Sequence, residues 1–282
     1  MQDAKVFFIT GASKGFGLEL TRQLLAAGHS VAATSRSKPG LIEAVETERP
    51  AFLPLEVDLT DPSDVGTAVT NAIDAFGRLD VVINNAGYGQ LGGLEELSDA
   101  EARKNYDINV FGTHNVIRAV LPQLRSQQSG HIINISSIAG ITGGFPGWGV
   151  YCGTKFAVEG LSESLAAEVA QFGIKVTVVA PGYFRTEFLD ENSLNLPQHR
   201  LEAYTAIRES ERVHNDQIQG NQPGDPVKAA AAIIRIAGME HPPLHLLLGP
   251  DAYAMAEKKM ADLRRDMEAW KELTHSTDLA TA

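Results

Sequence analysis

Tyr151 and Lys155 stand four residues apart in Tyr151-Cys152-Gly153-Thr154-Lys155, at the start of a stretch whose apolar positions Val158, Leu161 and Leu165 recur with helical spacing. On a helix such residues share a face, so the phenol and the ammonium lie one turn apart. A phenol with its ordinary pKa of about 10 is a poor proton carrier at neutral pH, and a fixed cation beside it favours the phenolate. The pair can then deliver and recover a proton at a reacting oxygen. Alone, it would fit a solvated helix face equally well, so its meaning depends on its surroundings.

A second segment able to do chemistry is Thr10-Gly11-Ala12-Ser13-Lys14-Gly15-Phe16-Gly17, which follows an aliphatic run and leads into a helical pattern from about Phe16 to Ala27. Glycines let backbone N–H groups approach an anion without a Cβ in the way, and the helix that follows adds its positive dipole end. A tight turn with no ligand is the alternative. No metal site is expected, because His114, His131, His199 and His214 show no ligand spacing and are read as structural or exposed. Cys152 has no histidine pattern near it and is read as a small helix residue, not a nucleophile.

The elements that must hold these residues alternate. Aliphatic runs at Lys5 to Thr10, Ser30 to Ser35, Phe52 to Asp58, Val81 to Asn84, His131 to Ser136, Lys175 to Ala180 and Leu244 to Leu248 are separated by helical segments. That rhythm predicts repeated βαβ units, one parallel sheet and one domain. Gly28, Asp61-Pro62 and Gly173 mark helix ends. Tyr183 to Gln222 shows no strand pattern and is read as a partly helical insertion, since so long a structureless loop is improbable unless it is functional. Ala252 to Leu273 reads as an outer helix. The 282 residues carry a formal net charge of −11, which argues against a nucleic-acid or anionic-membrane surface. A single cysteine fits a reducing compartment, no apolar stretch reaches the ~20 residues of a membrane span, and the cytoplasm is the expected location.

Six features in order, T-G-x-x-x-G-x-G from Thr10, Asn84-Asn85-Ala86-Gly87, Asn109, Ser136-Ser137, Tyr151 with Lys155, and Pro181-Gly182 with Thr186, resemble the motifs of the short-chain dehydrogenases/reductases over about residues 5 to 250. The resemblance implies an α/β fold, a Rossmann-type doubly wound parallel sheet of seven strands with helices on both faces, in strand order 3-2-1-4-5-6-7. It makes residues 1–250 a single domain, with 183–222 as a substrate lid and 251–282 as a helical extension. It implies cofactor contacts from Gly11, Ser13, Lys14, Gly15, Phe16, Gly17, Arg36, Asp58, Leu59, Asn85, Ala86, Gly87, Tyr151, Lys155, Pro181, Gly182 and Thr186. Tyr151 would be the acid/base, Lys155 would also hold the nicotinamide ribose, and Asn109 would anchor a water behind it. Ser137 would bond the substrate oxygen, although it precedes Tyr151 by one residue more than is usual in the family, which keeps Ser136 in contention.

An arginine at the end of the second strand accommodates the 2′-phosphate of NADP, whereas a carboxylate there binds the free hydroxyl of NAD. Here the strand ends Ser35-Arg36, and Lys14 can reach the same phosphate. NADP(H) is therefore expected over NAD(H), with Arg36 as a plain surface cation, and Asp58 as a turn cap, the bland alternatives. The expected function is hydride transfer between nicotinamide and a carbonyl or secondary alcohol. Phe145, Trp148, Phe184, Phe188, Leu189, Leu194, Leu196 and Tyr204 would form an apolar substrate pocket. A homodimer or homotetramer with no nucleic-acid or membrane partner is expected. The rival reading is a non-catalytic NADPH-binding redox sensor.

Overall fold

Strands buried on both faces need apolar side chains at nearly every position, and the chain supplies such runs at Val6–Ile9 (β1) and Val81–Asn84 (β4). The computed structural model describes residues 4–47, 49–190 and 193–279. Residues 1–3 of the expected domain, 191–192 of the insertion and 280–282 of the extension lie outside these. The other strands are Ser30–Ser35 (β2), Phe52–Glu56 (β3), Gly89–Gln90 (β5), Gly130–Ile135 (β6), Ile174–Pro181 (β7), Leu194–Asn195 (β8) and His245–Leu248 (β9). Seven of them form one parallel sheet in the order β3-β2-β1-β4-β6-β7-β9, which is the expected topology. Pro54 sits in β3, at an edge of the sheet, where a missing donor does least harm.

The α-helices are Gly15–Ala26 (α1), Lys38–Val45 (α2), Pro62–Phe76 (α3), Asp99–Tyr106 (α4), Thr113–Gln127 (α5), Gly149–Val169 (α6), Thr205–Val213 (α7), Pro226–Ala237 (α8), Pro250–Ala269 (α9) and Lys271–His275 (α10). Their starts are written locally: Asp61 caps α3 ahead of Pro62, Ser98 and Glu101 form a reciprocal capping box on α4, and Asp225 caps α8. One core packs α1 and α8 against the sheet through Leu20, Leu24 and Ile233. A second packs α3, α5 and α6 on the other face through Val69, Val120 and Leu165. The register of α6 is pinned by a buried chain of hydrogen bonds: Asn84 Nδ2 donates to Asn134 Oδ1 at 2.8 Å, Asn134 Nδ2 to Ser162 Oγ at 2.9 Å, and Ser162 Oγ to Val158 O at 2.6 Å.

The insertion departs from expectation in one respect. β8, inside the segment read as free of strands, pairs in parallel with β5, and Phe184 bridges Gly224. Two-residue strands are too short to carry a period, which is why the sequence does not announce them. Beyond β8, α7 is fastened by Glu96, whose side chain is wholly buried. Its carboxylate accepts two bonds from Arg208 Nη2, at 2.7 and 2.8 Å, and the N–H groups of Gly93 and Leu201 at 2.7 and 2.8 Å. Burial pushes the Glu96 pKa up, but the two N–H groups and Arg208 outweigh it and hold the group below the usual carboxylate range.

The segment read as one outer helix is broken at Trp270, between α9 and the short α10. Trp270 is exposed, and α9 leaves Met260, Leu263 and Met267 exposed. Its first turn reaches inward, where Asp251 Oδ2 accepts the Tyr183 N–H at 2.7 Å. Among the described residues no helix is long and apolar enough to cross a membrane.

Removing one partner of a buried ion pair strands the other. Arg208→Met should therefore cost about 3 kcal/mol in the stability of the α7 region and speed amide exchange over residues 199–213 by roughly tenfold or more. Exchange rates unchanged from wild type would show that α7 is held by its apolar contacts alone.

Candidate active site

The glycine loop lies at the carboxyl end of β1 and is shaped from the neighbouring strand. Asn85 Nδ2 donates to Thr10 O and Gly11 O, both at 2.9 Å, and Thr10 Oγ1 accepts from the N–H groups of Asn85 and Ala86 at 3.0 Å. Gly11 has φ +65, and a Cβ there would stand 2.8 Å from Ala86 Cα. A Cβ on Gly17 would collide with Gly11 O and lie 2.6 Å from Asn85 Nδ2. Both positions thus require glycine for close approach, with left-handed backbone at Gly11 as well.

Whether this cradle suits an anion can be read from what touches it. The N-terminus of α1 has no side-chain cap from its own Lys14; instead the Glu187 carboxylate accepts the Gly15 N–H at 3.2 Å, standing where a phosphate oxygen would sit. Lys14 Nζ donates to Ser193 Oγ at 2.5 Å. A cavity of about 420 Å³ runs from this loop across the strand ends, lined by Gly11, Ser13, Lys14, Gly15 and Phe16. Arg36, Asp58 and Leu59 line its far side, and Asn85, Ala86 and Gly87 its floor. Pro181, Gly182 and Thr186 close the other wall. The residues present therefore fit a dinucleotide, and every expected contact except Gly17, which packs behind the loop, lines the cavity. Asp58 also does what the bland reading expects: its Oδ1 accepts Thr60 Oγ1 at 2.7 Å and Thr60 N at 2.9 Å. Those bonds, with Arg36 further off, lower its pKa.

The reacting groups converge where this groove meets an apolar half. Lys155 is 5% exposed, its Nζ donates to Ile135 O at 2.9 Å and lies 5.8 Å from the centre of the Tyr151 ring. Burial lowers its pKa to about 8, with Glu159 one turn on opposing the fall. The Ser137 side chain lies near enough to Tyr151 to lower the pKa of its phenol. Ser136 Oγ donates to Lys155 O at 3.4 Å, Ser137 Oγ accepts the Ala139 N–H at 3.1 Å, and both serines line the cavity.

Burial opposes the phenolate that the spacing of tyrosine and lysine favours. It dominates and pushes the Tyr151 pKa up; the Ser137 side chain pulls it down, while Cys152 and Tyr183 add to the rise. Asn109 stands behind, in a π-helical turn over Asp107–Gly112, a distortion common at functional sites. Its Oδ1 accepts Tyr88 N at 3.0 Å, and its Nδ2 donates to Tyr88 O at 3.0 Å and Thr154 Oγ1 at 3.1 Å. Gly87 leaves room there, since a Cβ would sit 3.2 Å from Asn109 Oδ1 and 3.6 Å from Lys155 Nζ.

Of the residues expected to form the apolar half, Phe145, Trp148, Phe184, Phe188 and Leu189 line the cavity; Leu194, Leu196 and Tyr204 do not. Leu194 is buried beside them, whereas Leu196 and Tyr204 are exposed. Cys152 is buried and its thiol pKa is raised to about 11 by burial, so it is no nucleophile. His131 is structural, its Nε2 2.9 Å from Thr177 Oγ1 and its pKa pushed down to about 3 chiefly by burial, and His114 and His199 are exposed. His214, read as structural or exposed, is buried and lines the cavity with Tyr183 and Gln222. Nothing in the sequence marks these three, because they come from separate turns that only the fold gathers. Among the described residues no group could hold a metal ion.

A family model described as short chain dehydrogenase matches residues 5–196. A 3-ketodihydrosphingosine reductase of Bacteroides thetaiotaomicron is 38% identical over 265 residues, covering 93% of this chain and 94% of that protein. A short-chain dehydrogenase from Streptomyces avermitilis has the same fold at TM-score 0.89 and 36% identity, covering 98% of this chain and 100% of that one. Another, from Burkholderia cenocepacia and solved in complex with NADP, gives a TM-score of 0.73 at 27% identity, covering 95% and 98%. Sequence, topology and the grouping of a tyrosine, a lysine and a serine beside a glycine cradle all agree, and the chain belongs to the short-chain dehydrogenase family, enzymes that act on CH–OH or C=O groups with a nicotinamide cofactor.

Proposed function

We propose that this protein is an NADP(H)-dependent reductase or dehydrogenase for a hydrophobic ketone or its secondary alcohol, with Tyr151 as proton donor and acceptor. The observation that carries the reading is the buried Tyr151 phenol, with the Ser137 side chain near it and Lys155 Nζ 5.8 Å from its ring centre, in a cavity with a polar groove and an aromatic half. The name of the Bacteroides relative, a reductase of a keto compound, points the same way.

Ser137 orients the substrate oxygen toward Tyr151, and the protonated phenol transfers its hydrogen to that oxygen as negative charge develops. When bound, the nicotinamide supplies the hydride to the carbonyl carbon or removes it from the alcohol. Lys155 holds the ribose and keeps a positive charge under the phenol, easing loss of its proton. Asn109 fixes the loop around Tyr88 and so the space behind Lys155. Segment 183–222 covers the substrate half as a lid, excluding water. Cofactor preference follows from Arg36 and Lys14 at the groove and from Ser35 in place of a carboxylate. Self-association as a homodimer or homotetramer belongs to the same reading, supported by exposed Phe111, and by Phe156 and Leu161 on α6.

Tyr151→Phe keeps the ring and removes the proton. Turnover should fall by about 10² to 10⁴ while the NADPH dissociation constant stays within about threefold; turnover within tenfold of wild type contradicts the assignment. Arg36→Ala should raise the NADPH dissociation constant by roughly tenfold or more and hardly move that for NADH. Fluorescence titration of both cofactors decides this, and equal wild-type affinities would refute the preference. Because burial brings the Lys155 ammonium to a pKa of about 8, its charge is complete at lower pH and lost above it. With NADPH, kcat/KM should therefore decline as the pH rises through about 8, and a profile level to beyond pH ~9 would remove Lys155 from the proton-transfer machinery.

A further inference from the structure

The aromatic half of the cavity holds a polar group that proton transfer at Tyr151 does not use. His214 is 7% exposed, with Nδ1 2.7 Å from Ser210 O and Nε2 3.0 Å from Tyr183 Oη. A backbone carbonyl can only accept, so Nδ1 carries the hydrogen. Burial lowers the ring's pKa against the opposing pull of Ser210 O, which keeps it neutral and leaves Nε2 only a lone pair. Tyr183 must therefore spend its one hydroxyl hydrogen on His214, and its oxygen is left as an acceptor.

That oxygen is rigidly placed. Tyr183 N–H is held by Asp251, its carbonyl accepts Gly224 N–H at 3.0 Å, and its ring lies 5.9 Å from that of His214. The Trp148 indole touches both His214 and the reacting phenol, with ring centres 4.9 Å from His214 and 5.7 Å from Tyr151. Two further polar atoms on cavity-lining residues are buried with no partner, Gln222 Oε1 and Trp148 Nε1. Gln222 itself is 2% exposed. Buried polar groups in a native protein ordinarily have partners, and an acceptor and a donor left open on residues lining the same cavity match a group that can both give and take a hydrogen bond.

We propose that Tyr183, oriented by His214, is a specificity-determining residue that accepts a hydrogen bond from a donor on the substrate about one aromatic ring away from the reacting carbon. This role, which rests on the carbonyl reduction proposed above, defines the substrate class: a mostly apolar ketone bearing a distal hydroxyl or amino group. A substrate without the donor leaves a buried acceptor unmatched, which costs roughly tenfold to a hundredfold in discrimination.

The test uses phenylacetone and its 4-hydroxy, 4-amino and 4-methoxy derivatives, with NADPH oxidation for turnover and calorimetric titration of the enzyme–NADP complex for binding. The hydroxy or amino ketone should exceed phenylacetone and the methoxy ketone by roughly tenfold or more in kcat/KM and in affinity; which of the two leads identifies the donor. Tyr183→Phe should shrink that ratio to within about threefold. His214→Phe should release the Tyr183 hydrogen and raise the methoxy ketone relative to the hydroxy one. A wild-type ratio near one, binding of none of the four ketones, or a ratio unchanged in Tyr183→Phe overturns the role. Should Tyr183→Phe fail to fold, the wild-type series decides alone. Turnover without preference refutes this inference and spares the reductase reading, whereas preferential binding without turnover does the reverse.

Discussion

A lysine ammonium held in the interior by one backbone carbonyl is the constraint around which this site is arranged. Lys155 donates to Ile135 O, and burial alone would deprotonate it well before an exposed lysine. Every neighbour makes room for it or restrains it. Gly87 leaves space beside Nζ, and a Cβ on Gly140 would stand 2.8 Å from Lys155 O. Glu159 sits one turn further along α6 and supports the charge. The buried chain from Asn84 through Asn134 to Ser162 locks the helix that carries both Lys155 and Tyr151. A shift of α6 by one residue would remove the ammonium from its carbonyl and the phenol from Ser137 together.

The cofactor cradle and the substrate half are linked through the insertion. Glu187 reaches the N-terminus of α1, and Ser193 accepts from Lys14, so the glycine loop is in contact with the insertion. On its outer side that segment is tied down by the Glu96 and Arg208 pair. Behind it, Asp251 at the start of α9 fixes Tyr183. A carboxylate at a helix N-terminus satisfies the same orphan N–H groups and dipole that a phosphate would, which is the physical reason an acidic side chain from the insertion settles there. The C-terminal helix thus serves the site through one residue of its first turn, while most of its length faces outward.

The chain's own order made much of this legible. Alternating apolar runs and helical segments determine a parallel sheet because period and burial are local properties of the sequence, and Tyr151 with Lys155 share a helix face because four residues make about one turn. The glycine loop is legible for a similar reason, since Gly11 and Gly17 mark where backbone must approach backbone. Tertiary structure alone decided the rest. The acidity of Tyr151 depends on burial as well as on Lys155, and burial, which raises its pKa, is something the spacing cannot express. The two-residue strands β5 and β8 exist only because distant segments meet. Tyr183, His214, Trp148 and Gln222 come from four places in the chain and acquire a common purpose only through packing, because a pocket wall is defined by proximity in space and leaves no period or motif along the sequence.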